Sequence, residues 1–318
     1  MKAMFHFKLT TIFLVLVLYS LTGLSFNPEV SNYLINLSEG EEGPGYSDVA
    51  PELVISGNTI HVIWVQSPPS YEDVPSFYYC RSTDLGETWE APQLIKKFKD
   101  TSIPSQVDSR RIAVDGDNVH ICAADYDHGD KGIGRLYYFR SQNGGNSFES
   151  ERIIAATSGG YKKIDECFIK AANGKVAIAY QGEGDKKGTW AMFSADNGNT
   201  FSDTKLLEGS NYVADLHFDG NKMIVLYGYI YYQYGFHTGR LWVSTSGNGT
   251  DFTTNKLSVV YETQYGDREK CRAIHHDYYS PKVTCTDNAI HILFTGEVEE
   301  GNWTTFYARS NNNGQSFE

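Results

Sequence analysis

Cysteine, proline and basic residues are scarce in this 318-residue chain, and each shortage excludes something. The five cysteines, at 80, 122, 167, 271 and 285, include no C-x-x-C pair, so they make neither a zinc module nor a disulfide framework. Their odd number leaves at least one thiol over, although Cys271 and Cys285 are close enough in sequence to bridge a local loop. Cys80, Cys122, Cys167 and Cys285 stand in strand-like runs, where cysteine behaves as a small buried hydrophobe. With 27 basic against 39 acidic residues, the net charge of −12 disfavours nucleic acid and anionic membrane surfaces. No nucleic-acid partner is expected. Beyond residue 26 no apolar run is long enough to span a bilayer. Nor is there an H-E-x-x-H helix, a G-x-S-x-G elbow, a phosphate-binding loop or a dinucleotide fingerprint, so no cofactor and no metal are expected.

The first 26 residues stand apart. Lys2 and Lys8 precede the apolar stretch Thr11-Ile-Phe-Leu-Val-Leu-Val-Leu18, the layout of a secretory signal or an uncleaved N-terminal anchor. No cysteine lies near it, which excludes a lipoprotein site. The chain is therefore expected to be secreted or at the cell surface, touching a membrane only through this segment. Asn36-Leu-Ser, Asn248-Gly-Thr and Asn302-Trp-Thr are sequons for glycosylation of an exported protein.

What the sequence has in quantity is aromatics, with 22 Tyr and 17 Phe, and glycine, with 30. These are residues of strands and of tight turns. They are organised by a repeat. Ser82-Thr-Asp-Leu-Gly-Glu-Thr-Trp89, Ser141-Gln-Asn-Gly-Gly-Asn-Ser-Phe148 and Ser194-Ala-Asp-Asn-Gly-Asn-Thr-Phe201 share one pattern. Ser310-Asn-Asn-Asn-Gly-Gln-Ser-Phe317 shares it too, and Ser244 to Phe252 reads as a degenerate copy with one extra residue. The copies recur at intervals of roughly 50 to 66 residues, which defines a supersecondary repeat. Before each lies a β-branched and aromatic run such as Leu136-Tyr-Tyr-Phe-Arg, and before that a second run headed by a turn, such as Gly116-Asp-Asn-Val-His-Ile-Cys. With one strand before the turn and one after the box, each period holds four antiparallel strands, and four-stranded sheets repeated radially make a β-propeller. The box acids and amides, Asp84, Asn143, Asp196 and Asn312, are expected to bond backbone N–H groups within the turn. Trp89, Phe148, Phe201, Phe252 and Phe317 are expected to plug the blade beside it.

The S-x-D-x-G-x-[TS]-[WF] pattern resembles the Asp-box, or BNR, repeat of the sialidase-like propellers, and the resemblance runs from about Tyr33 to the end of the chain. It implies an all-β propeller over residues 27–318, either five-bladed or a truncated six-bladed form. In the five-bladed reading Tyr33-Leu-Ile-Asn-Leu37 supplies the fourth strand of the last blade.

The loops entering the first strand of each blade share a face with those joining the second and third strands. Here they carry Tyr46, Asp48, Asp108, Arg110, Arg111, Asp165, Glu166, Asp215 and Asp277 to Tyr279. The second set carries Tyr71 to Asp73, Asp125 to Asp130, Glu183, Asp185 and Tyr229 to Tyr234. Aromatics beside carboxylates suit a sugar, so a glycan is the expected partner and the chain is expected to be monomeric. Asp267 to Ser280 is the densest polar cluster; its His275 and His276 have no metal-ligand spacing, while Arg268 and Arg272 suit a carboxylate or pair with Asp267 and Glu269. His61, His120 and His291 recur at one second-strand position, which suggests packing or surface use. The resemblance implies a tyrosine nucleophile, an Asp acid/base and an arginine clamp on the substrate carboxylate. By that resemblance Tyr279, in Tyr-Ser-Pro, is the nucleophile and Asp108 or Asp130 handles the proton. Arg110, Arg111, Arg268 and Arg272 are the arginines for the carboxylate. Val49-Ala50-Pro51 stands where the family has Arg-Ile-Pro, and Arg110 or Arg111, one blade on, is the replacement. The other reading of the same face is a non-catalytic glycan- or protein-binding propeller.

Overall fold

Runs of β-branched and aromatic residues, buried on both faces in strands such as Thr59–Ser67, make the strands, and the turn-forming Asn, Asp and Gly residues end them. The computed structural model describes residues 35–38, 47–67, 75–98, 109–127, 133–157, 164–183, 187–208, 212–233, 236–257, 260–261, 268–269, 271–272, 281–286, 289–299 and 302–318. Among these there is strand and turn but no helix, and so no helix long and apolar enough to cross a membrane.

Five four-stranded antiparallel sheets form. The first blade is β1 (Ser47–Ser56), β2 (Thr59–Ser67), β3 (Ser76–Ser82) and β4 (Gln93–Lys97). The second is β5 (Ser109–Asp115), β6 (Asn118–Asp127), β7 (Ile133–Ser141) and β8 (Arg152–Ala156). The third is β9 (Ile164–Ala172), β10 (Lys175–Glu183), β11 (Lys187–Ser194) and β12 (Lys205–Glu208). The fourth is β13 (Tyr212–Phe218), β14 (Met223–Gln233), β15 (Phe236–Ser246) and β16 (Thr253–Leu257). A short ladder of β17 (Val260–Tyr261) and β18 (Arg268–Glu269) follows. The fifth sheet is β19 (Cys271–Arg272), β20 (Lys282–Thr286), β21 (Ala289–Glu299) and β22 (Asn302–Ser310). Its first-strand position is split, because β19 and β20 pair with different stretches of the same edge of β21. These meandering four-stranded sheets are the blades of a β-propeller.

Two compact units divide the chain, one within residues 1–105 and one within 106–318. In the first, Ile60, Val62, Trp64, Tyr78 and Cys80 form the blade's core, and Leu37 and Trp89 pack against it. The described part of Tyr33–Leu37 is not a strand. Asn36 Oδ1 accepts hydrogen bonds from the Ser38 N–H (3.1 Å) and hydroxyl (3.0 Å), a local turn that competes with ladder pairing.

In the second unit the cores lie between blades, and the period-two rule of strands assigns the sides. On β10, Val176, Ile178 and Tyr180 join Cys122, Leu136 and Tyr138 of blade 2. The intervening Ala177 and Ala179 join Val213, Leu216, Val225 and Tyr227 of blade 4. On β14, Ile224 and Leu226 meet Ile290, Ile292 and Phe294 of blade 5. Each of these fully buried aliphatic side chains contributes about 1.5–3 kcal/mol. The first strands of successive blades pack side by side, β5 on β9, β9 on β13 and β13 on β20, so they form the inner wall of this unit.

The box turns repeat one hydrogen-bond scheme. In blade 3 the Ser194 hydroxyl donates to Asp196 Oδ1 (2.8 Å) and accepts from the Gly198 N–H (2.8 Å). Asp196 Oδ1 then accepts from the Thr200 N–H (2.8 Å) and Oδ2 from its hydroxyl (2.6 Å). The same set holds at Ser82–Asp84–Thr88. At Ser141–Asn143–Ser147 and Ser310–Asn312–Ser316 the last bond is reversed, with the Asn Nδ2 donating to the serine hydroxyl. In blade 4 the turn begins at Ser246, which bonds Asn248 and the Gly249 N–H, and not at Ser244. That box is one residue shorter than its fellows, where the sequence pattern gave it one extra. The reason is strand register: the capping serine is the last residue of the third strand in every blade, and in β15 that residue is Ser246. Ser244 is buried within the strand and bonds Tyr227 Oη (2.7 Å) and Thr254 Oγ1 (2.6 Å) instead.

Candidate functional site on the inner strands

The first strands of three blades carry an irregularity near their start: β1 in the first unit, and β9 and β13 in the inner wall of the second. The pairing of β1 with β2 slips between Val49 and Glu52, that of β10 with β9 between Tyr180 and Gly182, and that of β13 with β14 between Val213 and Asp215. In blade 3, Cys167 pairs with Tyr180 and Ile164 with Gly182, so two consecutive acids, Asp165 and Glu166, face the single residue Gln181. A bulge of this kind turns side chains away from the regular alternation and is favoured beside binding sites. Gln181, 1% exposed, donates from Nε2 to Asp165 Oδ2 at 3.2 Å. The half-buried Glu166 follows on the same bulge.

The neighbouring inner strand contributes Arg111, whose guanidinium carbon lies 4.8 Å from the ring centroid of Phe168. A cation resting on an aromatic face keeps its charge while losing rotamer freedom, so Arg111 is held against blade 3. On the third inner strand Asp215 is in structural use: Oδ1 accepts from the Leu216 N–H (3.0 Å) and Oδ2 from the Val283 N–H of blade 5 (3.0 Å).

Of the residues singled out from sequence, Tyr279, Asp108 and Asp130 lie outside the described residues. Arg110, Arg268 and Arg272 are placed by backbone: Arg110 opposite Ala123, Arg268 opposite Tyr261 and Arg272 opposite Thr295. Arg111 is the member of that set whose side chain is described, and it reaches Phe168. The bulge and its Gln181 partner have no counterpart in the sequence reading, because a bulge is defined by the strand opposite.

Each of the three repeated histidines meets a tyrosine of the following strand, in buried pairs at His61 and His120 and an exposed pair at His291. His61 Nδ1 is 2.7 Å from Tyr79 Oη, His120 Nδ1 2.6 Å from Tyr138 Oη, and His291 Nδ1 2.6 Å from Tyr307 Oη. Burial, with a smaller push from Arg81, lowers His61 to about 4; burial and then Arg140 lower His120 to about 4. Burial likewise pushes the Tyr79 and Tyr138 hydroxyls up. Both pairs are therefore neutral.

His217, Asp219 and Cys285 are the described residues with donor atoms close enough for a metal, all within 4.8 Å of one another. The Lys222 ammonium lies 3.9 Å from Cys285 Sγ, so a positive charge already stands beside this group. Asp219 Oδ1 is committed to the N–H groups of Asn221 and Lys222.

No family model matches the chain, and no curated protein matches it by sequence. Among solved structures, the α-L-arabinanase of Penicillium chrysogenum complexed with arabinobiose superposes with a TM-score of 0.50. It is 16% identical over 85% of this chain and 79% of its own. An α-L-arabinofuranosidase of Fusarium graminearum in complex with an iminosugar inhibitor gives 0.47 and 15% identity, over 85% of this chain and 94% of that one. A Hadza microbial sialidase, Hz136, gives 0.45 and 13%, over 83% of this chain and 52% of that one. At these identities the likeness is one of fold: the chain is an all-β propeller of four-stranded antiparallel blades.

Proposed function

We propose that this chain is an exported propeller that acts on glycans, read most sharply as an exo-α-sialidase-type glycoside hydrolase. The observation that carries the reading is the bulge of β9. It sets Asp165 and Glu166 together on the inner wall, with Arg111 of the adjacent inner strand resting on Phe168. Acids and a fixed guanidinium are groups a carboxylated sugar needs: hydrogen-bond acceptors and a carboxylate partner. The arabinobiose seen with the Penicillium enzyme supports carbohydrate as the ligand class. In this reading the Tyr279 hydroxyl passes its proton to a glutamate, as the resemblance implies, and its oxygen attacks the anomeric carbon while Asp108 or Asp130 protonates the departing oxygen. Water then cleaves the glycosyl–tyrosine bond with that aspartate as base, and the glutamate returns the proton when the tyrosine leaves. Arg110, Arg111, Arg268 and Arg272 are the candidates for holding the sugar carboxylate.

A second reading, a non-catalytic glycan-binding propeller, is favoured by one observation: Asp215 is consumed in joining blades 4 and 5 and Arg111 in packing on Phe168. Hydrolysis of a fluorogenic α-sialoside, with Tyr279→Phe as control, separates the two. The enzyme reading expects turnover that the substitution abolishes while the circular dichroism spectrum is unchanged. Folded protein that shows no turnover yet binds immobilised glycans overturns it in favour of the second.

A further inference from the structure

The seam between blades 2 and 3 holds two thiols in direct contact. Cys122, on the second strand of blade 2, and Cys167, on the inner strand of blade 3, place their sulfur atoms 3.1 Å apart. That is about 1 Å more than a disulfide bond length. Both residues are 0% exposed, and both sit in the apolar cluster with Ala113, Leu136, Ile169 and Tyr180. The other described cysteines are differently employed: Cys80 Sγ donates to the Glu90 carbonyl (3.1 Å) and Cys285 lies beside Lys222. Strands β6 and β9 pack on one another, so closing the remaining gap asks for side-chain rotation rather than movement of a blade.

We propose that Cys122 and Cys167 are a modification site, oxidised to a disulfide that ties blade 2 to blade 3. The oxidant is an external disulfide, of the kind an exporting compartment supplies through dithiol oxidoreductases. One cysteine thiolate attacks a sulfur of that disulfide and expels one thiolate. The second cysteine thiolate then attacks the protein sulfur of the mixed disulfide and expels the other. Two protein thiols and one external disulfide become one protein disulfide and two external thiols, which carry away the two electrons and two protons. Because neither sulfur is exposed in the folded protein, the exchange takes place while the seam is still open during folding. Once the seam closes, the same burial keeps small thiols away from the finished bond.

The test refolds the whole chain in a mixture of oxidised and reduced glutathione, unfolds it in guanidinium with iodoacetamide and no reductant, and maps the peptides. The expected result is a linked pair of peptides containing Cys122 and Cys167, lighter by two hydrogens than the sum of the thiol forms. Cys80 and Cys285 are expected to carry the alkyl group. Alkylation of both Cys122 and Cys167, or linkage of either to a different cysteine, overturns the inference. A second measurement compares thermal midpoints. Wild type refolded with oxidised glutathione should melt higher than the fully reduced protein by roughly 5 °C or more. The C122S/C167S double variant should show no such dependence, and a shift that persists in it also overturns the inference.

Discussion

Replacing Gly198 with alanine tests how one blade is fastened to the next. Gly198 sits in the box turn of blade 3 at φ +76°, and a Cβ built there points at the hydroxyl of Tyr138 in blade 2, well inside contact distance. Tyr138 cannot yield freely. Its hydroxyl is bonded to His120 Nδ1 at 2.6 Å, its ring edge meets Phe201 with centroids 5.0 Å apart, and the Arg152 guanidinium lies 4.8 Å from its centroid. Arg152 in turn holds the carbonyls of Asn199 (2.7 Å) and Gly198. Left-handed backbone at a residue with Cβ costs about 1–2 kcal/mol, and overpacking a filled site costs about 1–3 kcal/mol. Gly198→Ala should therefore destabilise by about 3–4 kcal/mol, read in urea as a fall in midpoint at unchanged slope. Coincident fluorescence and circular dichroism transitions serve as the check that one transition is being followed. Tyr138→Phe alone should cost about 1–2 kcal/mol, because it leaves the buried His120 Nδ1 without this hydrogen-bond partner. In the double variant the offending oxygen is gone and the nearest atom is Cζ at 2.8 Å. A small ring shift then suffices, and the double loss should fall short of the sum by about 1–2 kcal/mol. A Gly198→Ala loss below about 1 kcal/mol, or additivity within about 0.5 kcal/mol, would refute the seam as the origin of the effect.

Two more outcomes follow from the same turns and pairs. Leu85 occupies the position taken by Gly144, Asn197 and Asn313 in other boxes, at φ 60° and 38% exposed. Leu85→Asn should relieve backbone strain at little loss of burial and raise stability by about 0.5–1 kcal/mol, seen as a higher thermal midpoint; a lower one would contradict the strain argument. Acid should weaken the fold through His61 and His120, whose folded values near 4 lie below the ordinary 6.5. Between those values the unfolded chain binds protons that the folded chain refuses, so stability is full above pH 6.5 and falls as pH drops towards 4. The slope should be about 1.4 kcal/mol per pH unit for each histidine, and unfolding titrations on His120→Gln should show it shallower by that amount. An unchanged slope would mean that His120 is not the titrating group.

The box serines, the turn dipeptides and the aromatic runs state their own local conformation, which is why the four-stranded blades are legible from residues alone. The blade 4 turn was misaligned because Ser244 and Ser246 both fit a loose pattern, and only the end of β15 chooses between them. Leu37 shows the opposite case, a strand-like run whose neighbour Asn36 bends it into a turn. Positional equivalence of the repeated histidines suggests packing or surface use, and the structure has both, buried pairs at His61 and His120 and an exposed one at His291. The inner-wall features were out of reach for a physical reason. The Asp165–Glu166 bulge exists relative to Gln181, and Cys122 meets Cys167 only because β6 packs on β9. Such facts belong to pairs of distant segments and leave no mark on either one.

The seams of the second unit have a direction. The Gly198 turn of blade 3 rests on Tyr138 of blade 2, the Gly249 turn of blade 4 on Phe193 of blade 3, and the Gly314 turn of blade 5 on Thr245 of blade 4. Blades 3 and 4 thus each carry both a key, their own box turn, and a lock, the side chains that receive the next key. A segment of one full period inserted or lost by recombination brings or removes one of each, and the junction it leaves behind has the same form as before. A cut made out of phase would leave two keys or two locks facing each other. The gene for such a protein can change its number of blades in whole steps, while the blades themselves are held to a common frame.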